Sequence, residues 1–107
     1  MRAVGYFSEG AKKSGHRRTI GEQNQAFLDF CTRHGYEVAA TFLDTEDEAG
    51  RDSGFAQMLR FLSRADRGFT VVVADGLGAF GPDLGAAALR LLELEGTGVP
   101  VLLAPAG

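Results

Sequence analysis

The apolar residues of this chain come in short bursts whose spacing switches between two periods. Arg2–Phe7 is a compact apolar run and reads as a strand. A polar, basic stretch with glycines, "SEGAKKSGHRR" (8–18), follows as a loop. Thr19-Ile20-Gly21-Glu22 then has the form of a capping box, in which the Thr19 hydroxyl accepts from the Glu22 amide and Glu22 reaches back. Phe27, Phe30, Cys31 and His34 fall on one stripe of the helix this opens. Gly35 ends it by taking the left-handed conformation that other residues avoid. Tyr36–Leu43 reads as a second strand, with Tyr36, Val38, Ala40 and Phe42 alternating onto one better-buried face.

Residues 44–54, "DTEDEAGRDSG", form an acidic loop. Phe55, Met58, Leu59 and Leu62 then stand at i, i+3, i+4 and i+7, one face of a second helix. Val71–Ala74 is apolar without a break, as in a parallel strand covered on both sides. A glycine-rich loop follows, and Pro82 suits a first helical turn. Leu84, Ala87, Ala88, Leu91 and Leu92 form the next apolar stripe, closed by Gly96. Val99–Ala104 is a last strand; Pro100 cannot donate to a ladder, so the strand starts there or lies near an edge. The order βαβαβαβ predicts a three-layer α/β/α domain around a mainly parallel sheet of four to five strands, with right-handed crossovers. No internal repeat or linker interrupts it, and the expectation is that more protein follows the last strand.

At 107 residues the chain makes one domain with a modest core. Hydrophobic residues are 45% and charged ones 23%, ordinary for a globular protein. The net charge of −3 does not advertise nucleic-acid binding, but it is unevenly placed. Residues 1–18 hold five basic side chains against Glu9, and the rest holds 6 basic against 13 acidic. Lys12, Lys13, Arg17 and Arg18 are therefore the candidates for phosphate contact. Cys31 is the one cysteine, so no internal disulfide forms, and a reducing, cytoplasmic setting is expected. The start, "MRAVGYFSEG", lacks the apolar run of a signal peptide, and nothing approaches the roughly 18 apolar residues of a membrane span.

Several patterns carry candidate chemistry. Residues 76–81 spell G-x-G-x-x-G after a strand, the spacing with which glycines let a backbone approach a pyrophosphate. Against that reading, the next strand ends Leu103-Ala104-Pro105 with no acid for a ribose, and Asp75 before the first glycine repels phosphate. A small nucleotide-binding domain using Gly76–Gly81 is one alternative. Cys31 and His34 could touch one metal at i, i+3, but two ligands are too few for zinc. The acidic loop has its glycine, Gly50, in the wrong place for calcium and no closing glutamate. Neither a metal nor a cofactor is implied.

A series of motifs in order points elsewhere. "MRAVGYFSEG", "TIGEQNQAFLDFCTRHGYEVAATFLD", "GRDSGFAQMLRFL" and "VVVADGLGAF" together span essentially the whole chain. They resemble, in turn, four features of the resolvase/invertase family of serine recombinases. These are its Tyr-x-Arg-x-Ser strand end, its Leu-x-x-Gln helix with a Gly-Tyr turn and a strand ending Phe-x-Asp, its Arg-Pro-x-Phe-x-x-Leu-Leu helix start, and its Asp-Arg-Leu-x-Arg turn. The "GRDSGFAQMLRFL" match carries one added residue. The resemblance implies a resolvase-like, flavodoxin-like topology and a catalytic domain in which a serine hydroxyl attacks a DNA phosphodiester while arginines stabilise the phosphoryl oxygens. Carried over position by position, it retains Tyr6, Gln23, Asp44, Arg51 and Asp75. It places the family's arginine at Ser8, its nucleophile at Gly10, and two further arginines at Gly76 and Ala79.

The expectation is thus a degenerate recombinase domain without strand cleavage, in which Asp44 and Asp75 repel a phosphodiester and the glycines mark a decayed catalytic turn. It would act as a non-catalytic or regulatory module. An active enzyme using Ser8 is the other alternative; Ser14 lies in the basic loop. The family's long dimerisation helix and its DNA-binding domain are not in these residues. The expected partners are a second copy or another protein, with DNA bound only if a C-terminal DNA-binding domain follows, and no membrane.

Overall fold

A computed structural model describes residues 1–9, 19–45, 53–64, 68–81 and 83–103. The elements are β1 (Arg2–Ser8), α1 (Ile20–His34), β2 (Glu37–Asp44), α2 (Gly54–Leu62), β3 (Thr70–Ala74), α3 (Leu84–Glu95) and β4 (Val101–Leu103), with a 3-10 turn at Leu77–Ala79. The strands form one parallel sheet in the order β2-β1-β3-β4. This is the predicted α/β class, with four strands among the described residues. The chain moves one way from β1 to β2 and the other way to β3 and β4. Right-handed crossovers then send α1 to one face and α2 and α3 to the other.

The sheet divides the core accordingly. Val4 and Tyr6 of β1 and Val72 and Ala74 of β3 pack with Phe55, Met58 and Leu62 of α2 and Ala87 and Leu94 of α3. Ala3, Phe7, Val71 and Val73 face the other way, onto Phe27, Phe30 and Cys31 of α1. All five residues of β3 are buried, as its unbroken apolar run predicts.

The Thr19 capping box forms, and Gly35 ends α1 with φ 69°. Ser53 caps α2 through the Ala56 amide and Asp83 caps α3 through the Ala86 amide, satisfying orphan N–H groups. β4 is an edge strand that begins directly after Pro100; Ala104 of the predicted strand lies outside the described residues.

Three expectations need correction. The register of β1 on β2 slips between Ala3 and Val4, so Val38 and Ala40 face consecutive residues and Ala39 is the extra one. This bulge flips the phase of β2. Tyr36 packs on the α1 side, whereas Ala39 and Phe42 pack on the α2 side, so Tyr36, Val38, Ala40 and Phe42 do not share one face. On α3 the inward stripe is Ala87 and Leu94, both buried, with Leu91 half-buried beside them; Leu84, Ala88 and Leu92 face solvent. His34 is exposed, its ring tilted against Phe30 at 4.3 Å and stacked on Tyr36 at 5.6 Å between ring centres, instead of completing the buried stripe.

Candidate functional site

In an open parallel sheet the ligand crevice lies beyond the carboxyl ends of the strands, where the strand order reverses. Here that point is between β1 and β3, with β2 on the other side of β1. Ser8, Asp44 and Asp75 stand at or just past the ends of the three strands.

Asp44 is the hub of this edge. Its Oδ1 accepts from the Gly54 amide at 2.7 Å, and its Oδ2 accepts from the Phe55 amide at 3.0 Å and from the Tyr6 hydroxyl at 2.6 Å. The carboxylate thus sits on the first amides of α2, where the helix dipole favours a negative charge. Gly54 makes the approach possible. A Cβ there would fall 2.2 Å from the Leu43 carbonyl oxygen.

Tyr6 is fully buried. Its ring stacks on Phe80 and meets Phe55 edge-on, both at 5.6 Å. Burial, and then the bond to Asp44, push its phenol well above the ordinary tyrosine range. The hydroxyl also accepts from Arg90 Nη1, at a long 3.3 Å. The Arg90 guanidinium lies 4.7 Å over the Phe55 ring, a cation–π distance. Among the described residues, Arg90 is the arginine that reaches this cluster.

Gln23 is buried on α1, and its amide acts as a substitute strand. Pairing of β1 with β3 ends at Tyr6 and Ala74. Beyond that point Gln23 Oε1 accepts from the Ser8 amide at 3.1 Å and Nε2 donates to the Ser8 carbonyl at 2.9 Å. The Ser8 backbone is fixed in this way and the residue is nearly buried.

The glycine loop makes no nucleotide cradle of the usual kind. Gly76 is extended, and the chain then winds through the 3-10 turn. The next long helix starts at Asp83, whose own carboxylate accepts from the Ala86 amide at 2.8 Å, where a phosphate would have to sit. Gly81 spaces the chain against α3, since a Cβ there would fall 2.7 Å from Ala86 Cβ. The two positions aligned with family arginines differ sharply. A Cβ on Gly76 meets open space, whereas Ala79 is buried beside Tyr6, Phe55 and Phe80.

Gly10, Lys12, Lys13, Ser14, Arg17, Arg18, Arg51, Pro82 and most of the acidic loop lie outside the described residues. Cys31 and His34 do not come together as ligands: Cys31 is buried, its thiol pushed up by burial, and His34 is exposed. Among the described residues no three His, Cys, Asp or Glu side chains could hold a metal.

Arg90, Phe80 and the two helix caps are the residues sequence reasoning missed. Arg90 carried a signal: it stands three residues after Ala87 and four before Leu94, beside the stripe that is in fact buried.

The topology is that of an α/β domain with a four-stranded parallel sheet, a fold it shares with catalytic domains of serine recombinases. Two solved structures share the fold. The C-terminal catalytic domain of ISC1926 TnpA, an IS607-like serine recombinase, matches 99% of this chain and 69% of its own, with a TM-score of 0.69 at 14% identity. The N-terminal catalytic domain of TP901-1 integrase matches 97% and 77%, with a TM-score of 0.74 at 11% identity. No family model and no curated protein sequence matches the chain. The resemblance read from the motifs is thus borne out in the fold.

Proposed function

We propose that this chain is a resolvase-type recombinase domain that has lost DNA strand cleavage and works as a non-catalytic, regulatory or partner-binding module. One observation carries the reading: three of the motif residues that remain, Tyr6, Gln23 and Asp44, are engaged in holding the domain together. Asp44 accepts from the first two amides of α2 and from Tyr6, and Gln23 completes β1; Arg90, outside the motifs, rests on Tyr6 and Phe55.

Cleavage by this chemistry needs an activated hydroxyl and cationic donors around the phosphoryl oxygens. Losing one such donor typically costs about 10²–10³ in rate. The aligned positions carry Ser8, Gly10, Gly76 and Ala79, none of them cationic. Asp44 contributes less repulsion toward a phosphodiester than its charge alone implies, because the α2 amides and the Tyr6 hydroxyl already neutralise much of its field.

The expected partners are a second copy or another protein, with DNA contacted through a further domain of a longer protein. A cytoplasmic setting fits the lone cysteine. Among the described residues no helix is long and apolar enough to cross a membrane.

The test is incubation with supercoiled plasmid, followed by a denaturing gel. Neither nicked DNA nor a covalent protein–DNA adduct is expected. An adduct that vanishes in Ser8→Ala would make Ser8 the nucleophile of an active recombinase. Thermal shift with NAD and ATP tests the nucleotide reading; no shift at millimolar ligand is expected, because Asp83 occupies the α3 amides.

A further inference from the structure

The three helices present very different surfaces to solvent. The exposed residues of α1 include Glu22, Gln25, Asp29, Thr32 and Arg33 with a single large apolar one, Leu28, at 38%, and those of α2 are Gln57 and Arg60. On α3, Leu84, Leu89 and Leu92 are 76%, 65% and 62% exposed. At the helical period these three share one face with Gly85 and Ala88, opposite the side that carries Arg90 inward. Leucines clustered on a surface in this way mark an interaction site more often than chance exposure, and the small residues between them let a second backbone come close.

The charges choose the occupant. Glu93 and Glu95 are exposed in the last turn of α3, which has no basic residue. They add to the negative end of the helix dipole. The other end carries Asp83. A second copy packed in parallel would bring four glutamates together, and one packed antiparallel would set Glu93 and Glu95 against the partner's Asp83. Both arrangements bring acid to acid, so self-pairing through this face is disfavoured.

We propose that the outer face of α3 docks an amphipathic helix of another protein, apolar along one stripe and bearing lysine or arginine at the end that meets Glu93 and Glu95. This goes beyond the reading given for the strand ends and stands on α3 alone, so either can fail without the other.

The probe is a fluorescein-labelled peptide of about 18 residues, long enough to be helical. It carries leucines at i, i+3, i+4 and i+7 and a lysine cluster at one end, and it is titrated into the full chain by fluorescence anisotropy. Saturable binding is expected, weakened on the order of tenfold by Leu89→Gln with Leu92→Gln. Both leucines are exposed, so circular dichroism should show these variants folded. Glu93→Lys with Glu95→Lys should reject the lysine peptide and accept one ending in glutamates. Absence of binding, binding indifferent to the leucine substitutions, or equal binding of both peptides would overturn the proposal. So would a dimer in sedimentation that Leu89→Gln with Leu92→Gln dissolves, since the occupant would then be a second copy.

Discussion

Tyr6 draws its partners from four elements: Asp44 at the end of β2, Phe55 on α2, Phe80 after the 3-10 turn and Arg90 on α3. Hydrogen bonds to charged groups contribute about 1.5–3 kcal/mol, so Tyr6→Phe should destabilise by an amount in that range, read by urea unfolding. The phenol adds a pH signature. Its folded pKa is raised, so the native chain keeps the proton at pH values where the unfolded chain has released it. The stabilisation is full below the ordinary tyrosine value near 10 and is lost as pH rises beyond it. Wild type should therefore lose stability above pH 10 more steeply than Tyr6→Phe. Equal slopes would mean that the phenol is not held as described. Arg90→Met and Tyr6→Phe remove the same bond, so the double variant should cost less than the two singles added, by on the order of 0.5–1 kcal/mol. Tyr6, Gln23 and Asp44 were legible as candidate positions because they belong to short motifs. Arg90 was not, because its contact bridges residues 84 apart and no local pattern encodes that distance.

Elements with strong local signals formed as read. The capping box of α1, the left-handed Gly35 and the unbroken valines of β3 each have a cause within a few residues. The misreadings lie where tertiary contacts decide. The β2 bulge depends on how β1 lies beside it, and the buried side of α3 depends on where Tyr6 and Val99 sit in the core. Close approach between elements sets the sharpest mutational contrast. Gly54→Ala pushes a methyl against the Leu43 backbone and disturbs both amides that hold Asp44. It should cost at least about 1–3 kcal/mol. Gly76→Ala enters open space at an extended φ that any residue adopts, so it should be neutral or stabilise by about 0.4–1 kcal/mol. Thermal unfolding of the two variants side by side checks both, and a mild Gly54→Ala would remove the tight β2–α2 junction from the account.

For the whole molecule, the order of strands and helices was enough to give the parallel sheet, and the motif series was enough to place Ser8, Asp44 and Asp75 at one edge. The roles of those residues were less legible, because the sequence shows which side chains are present but not which hydrogen bonds already engage them. Asp44 reads as a retained family position that repels a phosphodiester, and its carboxylate proves to be held by the first two amides of α2. Restoration of the lost cations should be uneven for the same reason. Gly76→Arg places its side chain in open space, whereas Ala79→Arg drives a guanidinium into the cluster of Tyr6, Phe55 and Phe80. Burying an unpaired charge belongs to the severe class of substitutions, so Ala79→Arg should lower stability by about 3 kcal/mol or more while Gly76→Arg stays within about 0.5 kcal/mol of wild type. The most direct measurement compares wild type with Gly10→Ser on supercoiled DNA, scoring covalent adducts after denaturation. The account predicts none from either protein, because a restored hydroxyl gains nothing while the three family arginine positions at 8, 76 and 79 carry Ser, Gly and Ala. An adduct from wild type, or from the single Gly10→Ser change, would contradict it.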